Sequence, residues 1–79
     1  MSTMKQLSSL FRAQLKLAPE INIAECSIEN TSAWDSMSHM NLIITLEETF
    51  EIVLSGDEIA AMTDYDSLAN IIEMKIENR

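Results

Sequence analysis

Trp34-Asp35-Ser36-Met37-Ser38-His39-Met40-Asn41-Leu42-Ile43-Ile44-Thr45-Leu46-Glu47-Glu48-Thr49-Phe50 is the stretch whose reading decides the fold. Met37, Met40, Ile43, Ile44 and Phe50 recur at spacings of three and four, with Leu46 beside them. That period predicts a helix from about Ser36 to Phe50 with this broad apolar stripe turned inward. Asp35 and Ser36 stand just before the stripe, where helices prefer Asp or Ser as a cap. A helix N-terminus is a positive local field with free backbone N–H groups, so a phosphate attached to a serine there is favoured.

Outward from that helix, the chain has the bounds of one small domain over residues 1–79. A hydrophobic fraction of 47% is enough for a folded core. One Gly and one Pro leave few chain breakers and favour helices over a turn-rich β fold. No apolar run is long enough for a membrane span. The start, Met-Ser-Thr-Met-Lys-Gln, lacks the apolar core of a signal peptide. Cys26 is the single cysteine, which leaves no disulfide framework or multi-cysteine metal site. These features place the protein in the cytoplasm as an expectation.

The net charge is −8, and no Lys or Arg lies between Lys16 and Lys75, an interval holding every acid except Glu77. A surface so uniformly negative repels nucleic acid and anionic membranes, and it attracts basic protein partners.

Thr3 with Gln6 suggests a capping box opening a first helix, with Met4, Leu7, Phe11 and Leu15 on one face and Leu10 and Leu17 flanking. Lys16 suits the negative end of that helix, and Pro19 stops it by forcing Ala18 out of helical dihedrals. Residues 18–34 form a long connection whose Ile21, Ile23, Cys26 and Ile28 are too apolar for a solvated linker. They are expected to pack on the bundle, Cys26 as a small buried filler. Ile21-Asn22-Ile23 has the look of a short strand with no partner, and Asn30-Thr31-Ser32 is turn-like. After the central helix, Ile52-Val53-Leu54 is expected to bury its apolar side chains in an irregular descent. Ser55 with Glu58 makes a second capping box, with Gly56 giving flexibility beside it, and Ile59 to Met62 is about one turn of helix. Thr63 or Asp64 caps a last helix that turns Leu68, Ile71, Ile72 and Ile76 inward. The reading is all-α: three main helices and one short one around a single core, with a long first loop.

Asp35-Ser36-Met37, followed by Leu42, Leu46-Glu47-Glu48 and Phe50, resembles the Asp-Ser-Leu motif and following helix of acyl carrier proteins. The match runs without gaps into Ile52-Val53-Leu54 and Asp57-Glu58. It is close over the second half of the chain and holds for length and pattern in the first. The resemblance implies a four-helix bundle, no catalysis, and a 4′-phosphopantetheine arm attached at the position matching the motif serine, Ser36. It implies as partners a phosphopantetheinyl transferase, an acyl- or aminoacyl-loading ligase or transferase, and downstream synthase enzymes with basic docking patches; the carrier itself is expected to be a monomer. Partners that reach the arm must touch Asp35, Met37, Asn41, Ile44, Glu47 and Glu48, of which Asn41, Ile44 and Glu48 share an edge by helical spacing.

The sequence departs from the fatty-acid carriers. Ser38 and Asn41 stand where acids are common, Trp34 where a small residue is common, and Ser55 where proline is frequent. Trp-Asp-Ser resembles dedicated carriers for surface polysaccharides, D-alanine transfer or secondary metabolites, so a peptidyl- or D-alanyl-type carrier stays open. So does an unmodified helical module that uses its acidic face alone. Ser36 and His39 lie one turn apart, the spacing of a nucleophile and base, but Asp35 is badly placed to orient the imidazole. His39 is expected to face solvent beside the arm. Trp34 is expected to cover the base of the central helix with its N–H at the surface. Met37 and Met40 flank Ser36 and would suit a core that opens for an acyl chain.

Overall fold

The computed structural model describes residues 3–78. Helix α1 spans Thr3–Leu15, α2 Ser36–Phe50, α3 Gly56–Ala61 and α4 Tyr65–Glu77, with one 3-10 turn at Ile23–Glu25 in the first loop. The described residues form no strand; Ser27 and Asp64 make a single isolated bridge. α1 packs against both α2 and α4, while α4 also meets the 3-10 turn and α3.

Each long helix buries the stripe that its apolar period supplies. α1 gives Leu7, Phe11 and Leu15, α2 gives Leu42, Ile43, Leu46 and Phe50, and α4 gives Tyr65, Leu68, Ala69 and Ile72. Ile71 and Ile76 are half-buried against the same core. Phe11 sits at the centre of an aromatic cluster. Trp34 and Tyr65 meet it edge-on at centroid distances of 5.1 and 5.0 Å, the arrangement that ring quadrupoles favour.

Helix ends are set by particular residues. α1 ends before Pro19 is reached, because Lys16 turns into the left-handed region (φ 54°). The N–H of Leu17 then donates to Arg12 O at 3.0 Å, closing a Schellman motif. The proline is not the stop. α2 closes the same way, with Glu51 at φ 56° and the N–H of Ile52 donating to Glu47 O at 3.2 Å. Thr3 is already helical, so the capping position of α1 falls outside the described residues. Of the two candidates for the cap of α4 it is Asp64, whose side chain accepts from the Ser67 N–H at 2.8 Å.

The first loop departs from expectation in detail. Asn22 caps a 3-10 turn instead of extending a strand, accepting from the Ala24 N–H. Ile23 and Cys26 are buried as expected, but Ile21 and Ile28 remain exposed. The loop is pinned to the far helices by backbone. The N–H of Ile28 donates to Thr63 O at 2.9 Å, and that of Tyr65 to Cys26 O at 3.0 Å. Asn30 ties the turn internally, donating to Glu25 O and accepting from the Ser27 N–H.

α3 is longer than one turn because the capping box starts it at Gly56, earlier than the expected Ile59. No residue of this six-residue helix is fully buried, and a helix so short does not stand alone. It is held by its cap, by a 2.9 Å ion pair between Glu58 and Lys75 of α4, and by Ile59 packing on the core.

Candidate functional site

The start of α2 is where the sequence concentrates its chemistry, and the structure divides the two candidate caps cleanly. Asp35 is the cap: its backbone is extended and its Oδ1 accepts from the Ser38 N–H at 2.9 Å. That N–H, ahead of other contacts, holds the Asp35 carboxyl below the usual range. Ser36 is therefore the first residue of the helix, not its cap. It is exposed, and among the described residues its hydroxyl has no hydrogen-bond partner. The free hydroxyl, the exposed first turn and the N-terminal end of the helix dipole coincide, which suits a covalently held phosphate.

His39 does not face solvent. Its Nδ1 accepts from the Trp34 indole N–H at 3.0 Å, and its Nε2 lies 3.0 Å from the Ile59 carbonyl of α3. An indole only donates and a carbonyl only accepts, so the ring is neutral with its proton on Nε2. Both nitrogens are committed, and neither can act as a base toward Ser36; the nucleophile–base pair does not form. Trp34 is 1% exposed, and its N–H is inside, on His39, not at the surface.

The apolar stripe of α2 also lies elsewhere than expected. Met37 (76% exposed), Met40 and Ile44 (both 49%) are outside, and His39, Leu42, Ile43, Leu46 and Phe50 form the inner face. Met37 and Met40 thus border Ser36 on the surface and contribute nothing to a core that would open for cargo. Of the residues expected to meet partners, Asp35, Met37, Asn41, Ile44 and Glu48 are all exposed. Glu47 differs from its neighbour. It is half-buried, and its Oε2 accepts from the Leu54 N–H at 3.0 Å, so it anchors the descent after α2. Ile52 and Leu54 in that descent are buried as expected, but Val53 between them points outward and is 80% exposed, and the bridging role of His39 is not foreseen by the residue pattern alone.

The buried indole is the signal for the latter. A buried Trp N–H needs an acceptor, and His39 falls on the same helical face as Ile43, Leu46 and Phe50 at spacings of four, three and four.

No helix among the described residues is long and apolar enough to cross a membrane. No protein-family model and no curated protein matches the sequence. Among solved structures, the chain is similar to a holo acyl carrier protein from Geobacter metallireducens determined by NMR in solution. The two are 31% identical, the match covers 99% of this chain and 90% of that one, and the TM-score is 0.83.

Proposed function

The chain belongs to the acyl carrier protein family, and we propose that it carries acyl or aminoacyl groups as thioesters on a 4′-phosphopantetheine arm attached to Ser36. It is a carrier and not an enzyme. The observation that carries the Ser36 assignment is the division of labour at the start of α2. Asp35 takes the capping role, so the Ser36 hydroxyl stays free and exposed on the first turn. The arm, when bound, supplies a thiol for the thioester and the reach to deliver it at high effective concentration.

The chain's own residues do the rest. Asp35 fixes where α2 begins, and Trp34 anchors the approach to it from inside the core. The strip of Met37, Asn41, Ile44 and Glu48 is the surface that a phosphopantetheinyl transferase, a loading enzyme and later synthases would touch. Apart from Asp35 beside the serine, its charge begins only at Glu48, about three turns beyond Ser36. Partners that read it need an apolar contact near the serine and basic groups farther along. This supports a dedicated carrier, including the peptidyl- or D-alanyl-type, over a housekeeping fatty-acid one. We place it in the cytoplasm, as a monomeric carrier domain.

Incubation with a phosphopantetheinyl transferase and coenzyme A, followed by intact mass measurement, tests the reading. One adduct per chain is expected for the wild type and none for Ser36→Ala, which should stay folded because the cap is Asp35.

A further inference from the structure

His39 ties three things together within one turn of Ser36: α2, the buried Trp34, and the C-terminal turn of α3 through the Ile59 carbonyl. Its neighbours on either side differ. Toward α1, the inner face of α2 is filled by the Phe11 and Trp34 rings and by fully buried leucines. Toward α3, it meets a helix with no fully buried residue, held partly by caps and one ion pair. α3 is therefore the less embedded neighbour of α2, and the His39–Ile59 hydrogen bond ties the two helices together within one turn of Ser36. Met62, the residue that caps the end of α3, is fully buried. The apolar side chains nearest Ser36 on the outside, Met37 and Met40, are already in solvent and offer a short cargo a surface to rest on.

Resting on the carrier reading above, we propose that His39 is a specificity-determining latch. By holding α3 against α2 it keeps long apolar chains out of the bundle, so this carrier is matched to short or polar acyl and aminoacyl groups that remain on the surface. An apolar chain growing from Ser36 would gain interior contacts only by breaking the bond to Ile59. It would thereby leave the buried Trp34–His39 pair without its support on α3. A short or polar group has no such gain to collect and leaves the latch closed.

The latch is tested first on the unmodified chain. Nitrogen shifts of His39 should report the Nε2–H neutral tautomer, and the Trp34 indole proton should exchange at least about tenfold more slowly than in His39→Ala, the ratio expected for losing one buried hydrogen bond. His39→Gln, which keeps one acceptor and one donor, should restore part of the protection. A rapidly exchanging indole or the opposite tautomer in the wild type overturns the latch without touching Ser36, and neither of those wild-type measurements needs the alanine variant to fold. The cargo claim is tested by loading acetyl-, octanoyl- and dodecanoyl-pantetheine from the corresponding coenzyme A thioesters. Wild-type melting temperature and the amide shifts of α3 and Met62 should be independent of chain length, while in His39→Gln or His39→Ala both should respond to the longer chains. A chain-length response in the wild type equal to that of the variants overturns the proposal. A chain that gains no mass from the transferase overturns the carrier reading, and the cargo claim with it, while the indole exchange still decides independently whether the latch exists.

Discussion

Ile43 and Ile44 are adjacent, chemically identical and on the same helix, yet Ile43 is sealed in the core and Ile44 is half exposed. α2 carries two apolar stripes. One runs through Leu42, Ile43, Leu46 and Phe50 to the C-terminal end of the helix; the other runs through Met37, Met40 and Ile44 and gives way to Glu47 and Glu48. Burial goes to the stripe that stays apolar to the end of the helix, and α1 packs on α2. The other stripe is left exposed beside Ser36, on the proposed recognition surface. Amphipathic period alone therefore detects the helix, and the acids that interrupt one stripe mark which way it faces.

Truncation separates the two stripes most sharply. Leu46→Ala, at a fully buried position, should cost about 2–5 kcal/mol in chemical unfolding, whereas Ile44→Ala should fall within about 0.5 kcal/mol of wild type. Ile44→Ala should instead raise the dissociation rate from a loading enzyme with little dependence on salt. Equal stability losses at the two sites would contradict the assignment of faces.

His39 distinguishes the inner stripe from an ordinary apolar one. His39→Ala leaves the Trp34 N–H buried without an acceptor and should cost roughly 1–3 kcal/mol. Adding Trp34→Phe to His39→Ala should cost less than the two single losses combined, because the orphaned donor is gone. Strict additivity in this double-mutant cycle would show that the two rings do not depend on each other.

The paired acids at the end of α2 sharpen the same contrast at a smaller scale. Glu47→Ala removes the acceptor of the Leu54 N–H and should destabilise by about 1 kcal/mol, while Glu48→Lys, on the exposed edge, should leave stability nearly unchanged. Both should slow loading, but only the Glu48→Lys defect should be purely a matter of association rate and vanish at high salt.

Acids also act in two opposed ways. Asp35, Glu58 and Asp64 are held below the usual carboxyl range, first of all by the backbone N–H groups of Ser38, Ser55 and Ser67, with Lys75 helping at Glu58. Because the folded values are the lower ones, their contribution is full above the ordinary carboxyl range and is lost as pH falls through the depressed folded values. The remaining acids, without a Lys or Arg between Lys16 and Lys75, repel one another once ionised. Melting temperature at neutral pH should therefore rise with salt, and magnesium should raise it further. In strong acid, added salt should not restore the stability that the caps lose. Melts that ignore salt at neutral pH would rule out the repulsion.

Most of the architecture is legible in the residues. Ser55-x-x-Glu58 announces α3, Leu7, Phe11 and Leu15 announce the inner face of α1, and Asp35-Ser36 announces the start of α2. What stays hidden depends on geometry outside local period. The left-handed Lys16 and Glu51 carry no glycine to mark them, so the proline looks like the helix stop when the Schellman motif has already ended it. The exposed Ile21 and Ile28 look like core by composition, and only the hydrogen bonds of Ile28 and Tyr65 show that the loop is pinned by its backbone. His39 looks like a surface residue because its donor and acceptor partners lie on a loop and on another helix. At the site, Asp35 and Ser36 are equivalent cap candidates until the Ser38 N–H chooses between them.

The free hydroxyl at the first turn of α2, and no other serine, is the proposed seat of the arm. Modification by a phosphopantetheinyl transferase with coenzyme A, followed by proteolysis and tandem mass sequencing, reads this directly. The adduct is predicted on Ser36 alone, complete in the wild type and absent from Ser36→Ala. An adduct on Ser38, on Ser32 or on any other serine, or a wild-type chain that gains no mass at all, would contradict it.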